Sequence, residues 1–112
     1  MILRPDEKIH VIHRRLFSEE ARRHFIGTVE GYEDGIIRSS GHLFTVDRAK
    51  FSYVKHPEKR THLISVASGD VLVNIIPPEI DLEKIEYKTK GKFVTVTDGE
   101  KWSMELSEVA WE

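Results

Sequence analysis

The side chains best suited to acid–base or metal chemistry in this 112-residue chain are six histidines, because imidazole both transfers protons near neutral pH and ligates metal ions. His10 and His13 stand three residues apart, a spacing that shares one face of a helix but points to opposite sides of a strand. We expect a strand there, so these two rings should not meet. The other four lie on separate segments and can converge only if the fold brings them together. They are His24, His42, His56 and His62.

Other catalytic arrangements find little support in the sequence. The chain has no cysteine, which excludes thiol nucleophiles, disulfides and Cys-ligated metal centres. Ser39 and Ser40 lie near His42, but adjacent strand residues diverge, and no strand–turn–helix elbow surrounds either serine. No glycine-rich phosphate loop is present. We therefore predict no catalytic residue, no metal site and no cofactor, and we favour a binding protein over an enzyme.

Basic residues are concentrated in the first half of the chain. Residues 1–60 hold 12 Lys and Arg against 9 Asp and Glu, whereas residues 61–112 hold 5 against 10. A sign asymmetry of this kind can mark a surface for an anionic partner or for self-association. The residues that we assign to such an anion- or partner-facing patch are Arg14, Arg15, Arg22, Arg23 and Arg38.

Aromatic residues interleave with these cations, which raises a nucleic-acid alternative. Single-stranded nucleic acid is bound where bases stack on aromatic rings and cations follow the backbone, and small β-barrels commonly provide the platform. The sequence pI of about 6.3 argues against it. The aromatic residues in question are Tyr32, Phe44, Phe51 and Tyr53.

Short charged or glycine-bearing turns divide the chain into segments rich in Val, Ile, Phe, Tyr and Thr, a pattern typical of antiparallel hairpins. We predict a single all-β domain over residues 1–112. Its fold would be an antiparallel meander of eight or nine strands, curled into a small barrel or a two-layer sandwich. At most one short helical turn is expected, near residues 18–24. Glycines inside the strands, such as Gly27, Gly31 and Gly41, favour a curled sheet or a barrel because they permit bulges and strong curvature.

Two strand pairings can be predicted in more detail. Residues 61–67 and 71–76 form the most apolar pair, and the second of them is expected to be covered on both faces. At the C-terminal end, a Lys90-Gly91 loop would place Tyr87 opposite Val94. A three-residue bulged loop at 97–99 would place Val94 opposite Trp102. These registers gather one apolar face, namely Ile85, Tyr87, Val94, Val96, Trp102, Met104 and Leu106.

Function is predicted only in outline. We expect a non-enzymatic binding or homo-oligomeric assembly module, with Trp111 as an exposed aromatic at the interface. The alternatives are a barrel that binds single-stranded nucleic acid or another anion, and a barrel that holds a small apolar ligand. No apolar run approaches the ~18 residues of a membrane-spanning helix, so we expect no membrane partner. We expect a cytoplasmic protein, which fits the lack of cysteine.

Overall fold

The computed structural model describes residues 3–13, 22–47, 52–67, 69–90 and 93–109. The secondary structure of these residues consists of nine antiparallel strands and one 3₁₀ turn, which confirms the all-β prediction. No helix in the described ranges is long and apolar enough to cross a membrane. The helical turn expected near residues 18–24 falls partly on residues outside the description, and from Arg23 onward the chain is strand. The strands are β1 Lys8–His13, β2 Arg23–Glu33, β3 Ile36–Asp47, β4 Ser52–Lys55, β5 Arg60–Ser65, β6 Val71–Ile76, β7 Glu86–Lys90, β8 Phe93–Thr97 and β9 Ser103–Val109.

The first six strands form one sheet and the last three form another. In the larger sheet β1, β2 and β3 lie side by side, and β3 is long enough to pair with two short strands along its far edge. Its residues 36–41 pair with β5 and residues 44–47 pair with β4. The chain turns between these two short strands at residues 56–59, and this turn becomes one wall of the cleft described below.

Strand β6 lies where the sequence did not predict it. It pairs with β1, not with β5, so the expected pairing of residues 61–67 with 71–76 is wrong. Ser65 and Val71 lie on opposite edges of the sheet and at opposite ends of its strands. Only five residues link them, a path of at most about 21 Å, so the sheet must curl strongly. No ladder joins β5 to β6 among the described residues, so the curled sheet is not closed into a barrel.

The two layers of the molecule enclose two hydrophobic cores. The inner core lies inside the curled sheet and consists of Leu3, Ile9, Val11, Phe25, Val29, Ile37 and Ile64. The inter-sheet core lies between the curled sheet and the three-stranded sheet, and consists of Ile26, Phe44, Tyr53, Ile76, Ile80, Ile85, Val94, Val96 and Leu106. Because strand residues alternate between faces, β1 and β2 contribute to both cores and are buried on both sides.

The C-terminal sheet has the predicted face but not the predicted registers. Tyr87 pairs with Val96 instead of Val94, and Val94 pairs with Leu106 instead of Trp102. The loop between β8 and β9 is longer than expected because the carboxylate of Asp98 accepts the N–H groups of residues 100, 101 and 102 at 2.9–3.0 Å. These bonds, led by that from Glu100, lower the pKa of Asp98.

Candidate functional site

Histidine pairs lie on both sides of the curled sheet, with His10 and His24 on one side and His56 and His62 on the other. On β1 and β2, His10 and His24 point towards the three-stranded sheet, and both are fully buried. Alternation along the same strands turns His13 towards the face that carries Val11 and Phe25. One histidine group is therefore enclosed between the layers, and the other lies at the end of the inner core.

The enclosed group forms a polar cluster within an apolar layer. His10 Nε2 lies 3.0 Å from His24 Nδ1, and the Tyr87 hydroxyl lies 3.1 Å from the first atom and 2.7 Å from the second. Asn74 Nδ2 is 3.2 Å from His10 Nδ1, and the Tyr53 hydroxyl is 3.4 Å from His24 Nε2. We call these five residues the junction cluster, because they join β1, β2, β4 and β6 to β7.

The sequence did not predict whether His10 and His24 would be in contact, and it did not predict that Tyr87 would bond to both. Alternation along β7 predicted that Tyr87 lies on the apolar face. It did not predict which strand of the other sheet the Tyr87 hydroxyl would contact. In the described residues no three His, Cys, Asp or Glu side chains are grouped as a metal site. A metal at the junction cluster would therefore need the phenol oxygen as its third protein donor.

The second group borders a surface cleft of about 420 Å³. The cleft forms where the chain leaves β4 and returns along the same edge of β3 as β5. We call it the histidine cleft, and its walls are Leu43, His56, Pro57, Glu58, Arg60 and His62.

His56 is held firmly in this wall. Its backbone N–H donates to Leu43 O at 2.8 Å, and its backbone carbonyl accepts a bond from His42 Nδ1 at 3.0 Å. Its ring Nε2 lies 2.8 Å from the Thr45 hydroxyl. The short β4–β5 turn is thereby tied to β3 at both backbone and side chain, so the cleft wall is preformed.

His62 carries the most informative atom of the cleft. Its ring packs edge-on against Phe25, with centroids 4.9 Å apart. Its Nε2 is buried, and it is the one buried side-chain nitrogen or oxygen in the described ranges that has no hydrogen-bond partner. Leaving such an atom unpaired costs about 1–3 kcal/mol, so a native structure that tolerates one calls for an explanation.

Several titratable or charged groups meet at this end of the inner core. Burial lowers the pKa of His13, and the neighbouring Arg23, His24 and His62 lower it further. At the cleft rim, the exposed Arg60 pairs with Glu58 at 2.7 Å. Glu58 is the single carboxylate in the cleft lining, and Arg60 is the single guanidinium.

Arg23 and Arg38, two members of the predicted arginine patch, lie at different places on the curled sheet. Arg23 lies beside His13, near the histidine cleft. Arg38 pairs with Gly31, eight residues further along β2 and about 26 Å away, and its side chain bonds Glu30 at 3.0 Å. Arg22 is half-buried and makes interactions of its own. Arg14, Arg15 and the predicted interface residue Trp111 lie outside the described residues.

Two of the aromatic residues that suggested nucleic-acid stacking are buried in the inter-sheet core. Phe44 and Tyr53 are 4% and 7% exposed, so neither offers a free ring face. Tyr32 is half-buried against the inner core, and Phe51 lies outside the described residues. Side chains also fill the inside of the curled sheet, so the described ranges provide no support for an apolar ligand held there.

Comparison with known proteins adds no further constraint. The chain matches no protein-family model, no curated protein and no solved structure.

Proposed function

We propose that this protein is a non-enzymatic binding module that takes a small anionic ligand in the histidine cleft. The observation that carries the proposal is the buried, unpartnered Nε2 of His62 in the wall of that cleft. Rotation of the half-buried His62 ring would bring this nitrogen to the cleft, where a ligand oxygen would supply the missing hydrogen bond and remove its desolvation penalty.

The charge distribution supports an anion over a neutral ligand. Arg60 at the rim offers a planar guanidinium, the group best matched to two oxygens of a phosphate or carboxylate. His56 and His62 add imidazoles that become donors at both nitrogens when protonated. The buried aromatic rings favour a small anion over single-stranded nucleic acid.

A matched pair of arginine variants tests this proposal. Arg60 and Arg38 are 66% and 64% exposed at the side chain, and each pairs with one glutamate. Titration of inorganic phosphate, followed by the ring NMR signals of His56 and His62, should give about tenfold weaker binding for Arg60→Gln, because a charged hydrogen bond is lost. Binding to Arg38→Gln should be unchanged.

Equal weakening by both variants would mean that phosphate responds only to overall charge, and the cleft would lose its assigned role. The same would follow if phosphate left the His62 signals unperturbed. A short oligonucleotide forms a second arm of the experiment. Should it bind more tightly than phosphate, with a steep salt dependence, the ligand would be nucleic acid and the small-anion proposal would be wrong.

Self-association is a second candidate function, and a separate feature favours it. Strand β6 has a ladder partner on one edge only among the described strands, and none of its six residues is charged. Its Leu72 and Ile75 are 57% and 53% exposed. A two-fold axis perpendicular to the sheet would pair β6 antiparallel with its own copy, and an uncharged strand places no like charges opposite each other there.

Sedimentation at several protein concentrations tests this second candidate. Leu72→Lys should convert a dimer to a monomer, because a charged residue on an edge strand opposes pairing. Leu63→Lys is the control, since Leu63 is 70% exposed on β5. A dimer that survives Leu72→Lys would exclude the β6 interface, and Trp111→Ala would then test the interface predicted from sequence.

A further inference from the structure

We infer that the junction cluster is a binding site for a first-row transition-metal ion, with His10 Nε2, His24 Nδ1 and the oxygen of Tyr87 as its three protein ligands. This site is separate from the histidine cleft and does not depend on the function proposed for it. The ion class follows from the donors, because imidazole suits Zn²⁺, Cu²⁺, Fe²⁺ and Ni²⁺, and a phenol oxygen becomes an anionic ligand on losing its proton.

The three donor atoms form a closed triangle with sides of 3.0, 3.1 and 2.7 Å. In octahedral or tetragonal coordination, ligands about 2.1 Å from an ion and at right angles to one another lie about 3.0 Å apart. The triangle therefore has the size of one face of an octahedral site. Hydrogen bonds have similar lengths, so only ring direction and the number of protons can distinguish a metal site from a hydrogen-bonded cluster.

The direction of the imidazole rings fits convergence on a shared point. A straight N–H···N bond at this distance would hold the ring centroids about 5.3 Å apart. Two rings aimed at one ion at right angles would hold them about 4.6 Å apart. The observed separation is 4.8 Å, with the rings inclined by 71°, which is closer to the second arrangement.

The number of protons limits how many sides of the triangle can be hydrogen bonds. In a neutral imidazole each ring nitrogen either carries one hydrogen or offers one lone pair. Each nitrogen of the triangle faces two polar atoms, so at most two of the three sides can be full hydrogen bonds. A cation at the apex uses both nitrogen lone pairs and the oxygen at once.

A second layer of polar groups already contacts the far side of both rings. Ligating histidines usually donate their other N–H to a nearby oxygen, which fixes the ring and its tautomer. The Tyr53 hydroxyl lies 3.4 Å from His24 Nε2 and can accept that bond. Asn74 faces His10 Nδ1 at 3.2 Å, and its amide accepts from this nitrogen once turned over. Binding of the ion releases the phenol proton of Tyr87 to solvent, and the phenolate offsets one positive charge.

The three tyrosines of the chain provide a graded test. Because His10 and His24 are fully buried, the ion must be present during refolding. We would refold each protein with Zn²⁺ or Cu²⁺, dialyse it against metal-free buffer and measure the metal content. The wild-type chain should retain about one ion. Tyr32→Phe, at the inner core, should retain it equally. Tyr53→Phe should bind about tenfold more weakly, and Tyr87→Phe should lose stoichiometric retention.

Two outcomes would overturn the inference. One is a wild-type chain without metal after refolding. The other is equal retention by Tyr87→Phe, which would show that the ion does not depend on the Tyr87 oxygen. Absorption spectroscopy provides a measurement that does not depend on the folding of a variant. The copper-loaded wild-type chain should show a visible phenolate-to-copper charge-transfer band, and its absence would exclude Tyr87 as a ligand.

Discussion

At the scale of single residues, the histidines show how much the environment decides what an imidazole can do. His10 and His24 are enclosed, and both nitrogens of each ring face polar atoms. His62 is only partly covered, yet one of its nitrogens is buried without a partner. An enclosed, fully contacted ring favours structural or metal-binding roles, whereas an unsatisfied nitrogen at a cleft favours ligand binding.

Replacing His62 by Phe should separate stability from binding. The aromatic ring keeps its edge-on packing against Phe25, while the unpaired nitrogen is removed. We expect His62→Phe to stabilise the protein by about 1 kcal/mol in urea unfolding, and to abolish phosphate binding. A destabilised variant would show that Nε2 has a partner in solution and would weaken the case for the histidine cleft.

The stability of the protein should depend on pH through His13. Its pKa in the folded chain lies below the ordinary value of 6.5, so the unfolded chain binds this proton more readily. Stability from this residue is complete above pH 6.5, and it decreases as the pH falls from there towards the lowered folded pKa. Burial disfavours the charged form of the His13 ring most, and Arg23, His24 and His62 disfavour it further.

Urea unfolding between pH 8 and pH 5 measures this dependence. His13→Gln should show a shallower loss of stability than the wild-type chain, whereas His42→Gln should resemble the wild type. Phosphate should also reduce the loss if it binds nearby. An unchanged slope in His13→Gln would mean that the other histidines dominate the titration.

At the scale of elements, the sequence predicted faces better than registers. The C-terminal pairings were wrong by two and four residues, but both errors are even numbers, so every side chain stayed on its predicted face. Apolar alternation specifies the face, whereas the register depends on loop contacts such as those of Asp98. These contacts involve backbone groups, whose positions alternation does not predict.

The pairing of β2 with β3 depends on two glycines that face each other. Gly27 and Gly41 are partners in the ladder, and a methyl group on Gly41 would collide with the carbonyl oxygen of Ile26. We expect Gly41→Ala to destabilise the protein by about 3 kcal/mol, because rigid backbone must move. Gly31→Ala is the control, since its methyl group would meet no atom within 4 Å. Similar urea midpoints for the two variants would contradict this account.

At the scale of the whole molecule, two cores share the same central strands. Ile9 and Val11 lie in the inner core, while their neighbour Ile12 packs against the inter-sheet core. Because β1 and β2 are buried on both faces, separating either layer from them would expose one face of the strands that carry the other core. The sequence predicted a single domain but not this double use, because the position of β6 beside β1 depends on pairing between distant segments.

Unfolding should therefore be a single cooperative transition. In a Trp111→Phe background, fluorescence reports Trp102, which packs against the inter-sheet core. Ile37 is fully buried in the inner core, and Ile37→Ala should cost about 2–5 kcal/mol. The urea midpoints by fluorescence and by circular dichroism should fall together. If Ile37→Ala leaves the Trp102 transition in place, the two layers unfold independently.

The pairing of Lys8 with Ile76 also sets an order of assembly during synthesis. As the chain leaves the ribosome, β1 can join β2 at once, but its other edge must wait until β6 has been translated. Contacts between segments so far apart in the chain form slowly. Until then the nascent sheet presents an open edge and an incompletely covered apolar interior, the state in which a growing chain is most exposed to aggregation and to capture by chaperones.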